Sequence, residues 1–166
     1  MSKVSIGHIF ADHFETLRNF ETEKRSWSDV CIFILLPVIL GGAVVYFGMD
    51  FDKLVGDLLK AIAIFSAFLF NLLAVVNSAI KEVTPKNQSN QLRILYTKEI
   101  HANLSFNILI GIILVITLII QSFLTSLENL PKVFLQVMTA TNVSLTACFI
   151  LTMVMCLNRV YILVQK

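Results

Sequence analysis

"QLRILYTKEIHANLSFNILIGIILVITLII", residues 91–120, opens as a polar, amphipathic helix and closes as a continuous apolar one. Arg93, Lys98, Glu99 and His101 come first; from Ile108 to Ile120 only Gly111 and Thr117 interrupt the aliphatics. No Pro or Gly precedes Gly111, so the stretch predicts one helix that passes from water into hydrocarbon. Asn90 offers an N-cap, and from Asn90 to Leu124 is 35 residues, about 52 Å of helix. The hydrocarbon core of a bilayer is only about 30 Å thick. Two to three turns carrying Leu92, Leu95, Tyr96 and Glu99 are therefore expected to stand clear of it.

The rest of the chain agrees with a lipid environment. Of 166 residues, 57% are apolar and 14% charged, against roughly 45–50% and about 25% in soluble domains. A soluble core of this size has no room for that apolar surface. The net charge of +2 is too small to argue for direct nucleic-acid binding. Cys31, Cys148 and Cys156 lie in apolar runs, an odd set that reads as small apolar fillers and not as disulfides. His8, His13 and His101 lack metal-ligand spacing, and no metal or other cofactor is expected. No cleavable signal peptide is read before the first apolar run.

The expected fold is an all-α integral membrane protein, a four-transmembrane-helix bundle with cytoplasmic helix extensions and an N-terminal amphipathic helix. Residues 1–166 form a single membrane domain, with transmembrane helices at about 30–48, 58–80, 100–124 and 133–164. The first, "VCIFILLPVILGGAVVYFG", contains Pro37 and the Gly41-Gly42 pair, which predict a kink. Short connections at 49–57 and 125–132 make spans one and two, and spans three and four, antiparallel hairpins. Residues 81–99 form a loop and helix foot, in which Pro85 ends span two. Residues 1–28 form a cytoplasmic segment with an amphipathic helix over 4–21: Ile6, Ile9, Phe10, Phe14, Leu17 and Phe20 lie opposite Asp12, Glu15, Arg18 and Glu21. Its polar face is not basic, so packing on the protein's own helix feet is favoured over lying in the interface. Trp27 suits the interface before span one.

Of the 13 Lys and Arg residues, ten fall in the N-terminal segment, the 81–99 loop and the C-terminal tail, and three on the other side. The positive-inside rule then puts both termini in the cytoplasm.

Intramembrane ionisable groups, the default functional candidates, are scarce. Asp57 and Lys60 form an i, i+3 pair at the outer end of span two. Arg159, near the inner end of span four, has Glu82 or Glu99 as prospective partners. No carboxylate is placed to carry a proton, and no nucleophile, phosphate or metallo-hydrolase motif is present, so no enzymatic activity is expected. Neutral polar side chains are more common: Asn71 and Asn77 in span two, Asn103 and Asn107 in span three, Asn142 and Thr152 in span four. They read first as helix-packing groups and second as the lining of a pore between subunits.

Two stretches, "LRILYTKEIHANLSFNILI" (92–110) and "LTMVMCLNRVYILV" (151–164), combine a basic, aromatic foot with an Asn/Ser-flanked apolar run and an Arg–aromatic tail. In this they resemble small four-pass membrane proteins of bacterial anti-phage defence systems, of the Kiwa membrane-subunit type. The resemblance spans about a third of the chain and supplies no active-site residues. It implies a homo-oligomer, a tetramer, in a bacterial inner membrane, a soluble DNA-binding cytoplasmic partner, and a role in sensing infection at the envelope.

The expected function is thus a membrane-embedded sensor or scaffold that oligomerises and recruits a soluble partner through Leu92, Arg93, Tyr96 and Arg159. A pore-forming or depolarising effector and an accessory subunit of a larger membrane complex are the alternatives.

Overall fold

The computed structural model describes residues 6–16, 27–49, 51–82, 88–127 and 130–165. Apart from short turns at 47–49 and 125–127 and the residues just before α3 and α5, these are helical, with no strand among them. The helices are α1 (Ile6–Thr16), α2 (Trp27–Tyr46), α3 (Asp52–Glu82), α4 (Gln88–Leu124) and α5 (Lys132–Gln165). Three are long and apolar enough to cross a membrane, over Lys53–Ser78, Thr97–Leu124 and Lys132–Tyr161. The apolar part of α2, Cys31–Tyr46, is shorter.

The 91–120 stretch lies wholly within α4, which runs unbroken for 37 residues, about 55 Å. Gly111 does not break it, because the glycine serves a close approach. A Cβ there would stand 3.0 Å from Ser66 Oγ of α3 and 3.1 Å from Phe149 Cε2 of α5. Lipid tails give helices no hydrophobic reason to associate, so close van der Waals packing has to supply it. α4 is the central helix: half of its apolar window is buried, against 17% for α3 and 22% for α5. Ile100, Leu104, Leu114 and Leu118 are fully enclosed.

Helix α3 reaches well beyond the apolar stretch at about 58–80. Most of the 49–57 connection is helix, because α3 begins at Asp52. Phe51 and Val55 are buried, and Val55 starts a seven-residue repeat of buried positions with Ile62, Leu69 and Val76. Packing therefore extends the helix past the apolar window by which hydropathy defines a span. α2 ends at Tyr46 and is closed by the turn at Gly48. With φ at +62°, Gly48 donates to the Val45 carbonyl and Met49 donates to that of Val44, the pair of bonds that closes a helix with a left-handed glycine. Pro37 lies within α2.

The packing order is α2–α5–α4–α3, with α1 laid on α4. α2 and α3 follow each other in sequence, yet share no helix–helix packing among the described residues. The first expected hairpin is thus not a packed pair. α2 instead meets α5 through Gly41, where an added Cβ would overlap the Ala140 carbonyl oxygen and Ser144 Oγ. The neighbouring Gly42 faces open space.

This contrast yields a stability test. Gly41→Ala should destabilise the fold by about 1–3 kcal/mol, because overpacking a backbone contact outweighs the helix-propensity gain. Gly42→Ala should be neutral or stabilising by up to about 1 kcal/mol. Thermal melting in mild detergent reads both, and equal melting points for the two variants would refute the close α2–α5 approach.

Candidate functional site

The densest set of buried polar groups lies where α1, the foot of α4 and the tail of α5 converge. α1 buries His13 and Thr16 and half-buries Ile9 and Phe10, while His8 and Asp12 stay exposed. His13 falls at helical spacing from Ile9, Phe10 and Thr16, so the face that seeks apolar contact carries an imidazole. Phe106 of α4 stacks on that imidazole at 3.8 Å between ring centroids, nearly parallel at 3°. Phe10 meets Phe106 edge-on at 5.3 Å. From α2, Phe33 approaches His13 edge-on at 6.3 Å.

The polar side of the junction centres on Asn103, which has no solvent exposure. His13 Nδ1 lies 2.8 Å from Asn103 Oδ1, so with a carbonyl acceptor opposite, Nδ1 is the protonated nitrogen. The Thr16 hydroxyl sits 2.8 Å from the same oxygen and 2.7 Å from the His13 carbonyl. With one proton to give, it donates to one of them at a time. Arg159 completes the site from α5. One guanidinium nitrogen donates to Glu99 Oε2 and the other to the Thr16 carbonyl. Thr16 is the last residue of α1, so a cation meets the carbonyl-rich, negative end of that helix. The two side chains of the ion pair are only 17% and 19% exposed, which reduces solvent screening.

Burial lowers the His13 imidazole from 6.5 to about 4; the nearby Arg159 cation acts in the same direction, and the Asn103 hydrogen bond opposes both. The buried ring is therefore neutral near pH 7.

A second polar cluster joins α4 to α5 near their other ends. Gln121 Nε2 donates to Thr139 Oγ1 at 3.1 Å, and Asn142 Nδ2 donates to Gln121 Oε1 at 2.6 Å. Asn107 lies between the two clusters with no exposure. Neither its amide nitrogen nor its oxygen has a partner among the described residues. Thr152 is buried and donates back to its own helix at Cys148 O, 2.9 Å away.

The sequence-derived candidates thus divide. Arg159 and Asn103 meet in the junction, and of the two prospective partners Arg159 takes Glu99. Asn142 pairs with Gln121, Asn107 and Thr152 are enclosed, and Asn71 and Asn77 are exposed on α3. The side chains of Leu92, Arg93 and Tyr96 lie outside the described residues. Sequence reasoning missed His13 and Thr16. The available signal was periodicity: both continue the apolar positions of the N-terminal helix, where a polar residue needs a buried partner.

Three outcomes follow from this geometry. Arg159→Leu should cost about 3 kcal/mol by leaving Glu99 half-buried without its partner, and the Arg159→Leu/Glu99→Leu double variant should recover most of it in a thermodynamic cycle. Asn103→Leu should destabilise, whereas Asn107→Leu, which removes an unpaired buried amide, should be neutral or raise the melting temperature. For His13 the folded value lies below the unfolded one, so the unfolded state binds the extra proton. Stability is then complete above about pH 6.5 and falls as pH drops towards 4, by about 3 kcal/mol in all. His13→Phe should flatten that dependence in melting curves taken across pH 4–7.

No protein-family model, curated protein or solved structure matches the chain.

Proposed function

We propose that this chain is a multi-pass scaffold of a bacterial inner membrane that recruits a soluble cytoplasmic protein, in the service of anti-phage defence. In this reading α2, α3, α4 and α5 all cross the bilayer, α2 as the shortest. Both termini and the foot of α4 face the cytoplasm, following the Lys and Arg distribution. α1 is then an amphipathic helix held against the inner ends of the spans, and the chain assembles as a homo-oligomer, a tetramer by the resemblance of residues 92–110 and 151–164. The partner, DNA-binding by the same resemblance, docks on the exposed side of that platform. No catalytic step is assigned to the chain.

The observation that carries this reading is the junction itself. A helix of 11 residues is too short to be stable alone in water. Here it is fixed to α4 and α5 by His13, Thr16, Arg159 and Glu99, so the inner face presents an ordered surface. A shift of α5 against α4 breaks the Arg159 contacts to Glu99 and Thr16 together, which gives a membrane disturbance a route to the docking surface. The pore-forming alternative draws less support: Asn103, Asn107, Asn142 and Thr152 have no exposure, leaving only Asn71 and Asn77 to face a channel.

Leu92→Glu, Arg93→Glu and Tyr96→Ala should each reduce capture of the co-expressed product of a neighbouring gene at least tenfold, with membrane insertion and native mass unchanged. Undiminished capture by all three variants would sink the docking assignment. Ion flux in liposomes that disappears with Asn71→Leu would favour the pore instead.

A further inference from the structure

The face of α3 turned away from α4 holds a feature that a lone subunit does not explain. The buried face of the helix is the Val55, Ile62, Leu69, Val76 repeat. Half a turn away, Lys60, Ile64, Ala67, Asn71, Ala74 and Ser78 are all exposed. Their spacing alternates between four and three residues, the repeat of a left-handed two-helix seam. α2 does not cover this face, since α2 and α3 do not pack together.

Asn71 is the residue that demands an occupant. It sits seven residues inside the Ser78 end of the Lys53–Ser78 span, about 10 Å along the helix and so within hydrocarbon. Its amide has no hydrogen-bond partner among the described residues. Lipid tails offer none either, and an unpaired amide in hydrocarbon is unfavourable. Ser78 differs, because its hydroxyl already donates to Ala74 O at 3.2 Å.

We infer that this face of α3 is a contact between two copies of the chain, paired in parallel about a two-fold axis along the membrane normal, with the two Asn71 amides hydrogen-bonded to each other. Three observations select a second copy over another occupant. An amide is complementary to itself, donating through Nδ2 and accepting through Oδ1. Every copy inserts in the same orientation, so identical helices meet in parallel and Asn71 faces Asn71 at the same depth. Ala67 and Ala74, one turn to either side of it, allow the backbones to approach. A buried amide at such a position also fixes register and limits the pairing to one alignment. The inference rests on the homo-oligomer of the proposed function and identifies its contact surface.

The test is oxidative cross-linking in native membranes, in a Cys31→Ala background that removes the exposed native thiol. Ala67→Cys and Ala74→Cys should give disulfide-linked dimers, whereas Phe70→Cys, exposed on the flank of the same helix, should not. Asn71→Leu should weaken dimerisation roughly five- to thirty-fold in lipid, the range that an interhelical amide bond gives; Asn71→Gln should keep most of it. Cross-linking at Phe70 equal to that at Ala67, or none at either alanine, overturns the inference. If native mass then still shows an oligomer, the proposed scaffold stands on another surface; if it shows a monomer in bilayer nanodiscs, the homo-oligomer fails as well.

Discussion

Arg159 bonds to two other helices at once, and the architecture of one end of the molecule depends on that bond pair. Its fork reaches Glu99 of α4 and the final carbonyl of α1. A lysine, with a compact ammonium in place of a planar fork, would hold one of these acceptors less readily together with the other. The contact also accounts for the amphiphilic character of α4. Its polar foot is a receiving surface for α1, and its apolar length is the axis on which α3 and α5 pack.

Membrane helices lack the hydrophobic drive that orders soluble cores, and this chain uses two substitutes. One is close approach, at Gly41 between α2 and α5 and at Gly111 among α3, α4 and α5. The other is hydrogen bonding between side chains, concentrated in the clusters around Asn103 and Gln121. Between the clusters the interior is aliphatic and aromatic, with Leu114, Leu118 and Phe149 enclosed. Asn107 and Thr152 are the exceptions: Thr152 bonds back to its own helix, and Asn107 is enclosed without a partner among the described residues.

Much of this was legible in the residues. The continuity of α4, the helical N-terminal segment and the availability of Glu99 to Arg159 all follow from local pattern and charge. What did not follow was which helices become neighbours. A short connection at 49–57 suggests that α2 and α3 lie side by side, but connection length limits distance between helix ends and says nothing about which faces fit. The fit of α2 to α5 depends on a missing Cβ at Gly41 meeting Ala140, a relation between residues a hundred positions apart. His13 was obscure for a related reason. Read alone it is one of three scattered histidines, and its role emerges only when Asn103 and Phe106 are brought to it by folding.

The two polar clusters act on the same pair of helices, and their separation has a mechanical meaning. Glu99 and Gln121 of α4 are 22 residues apart, about 33 Å, and each is tied to α5. A rod pinned to its neighbour at two distant points does not slide or pivot against it unless one pin is withdrawn. α4 and α5 therefore form the most firmly tied pair of helices, with α2 packed on the α5 side and α3 on the α4 side. In the proposed scaffold, a pair of helices held this way yields little until one clasp opens and then moves at once, the behaviour of a threshold element and not of a graded gauge.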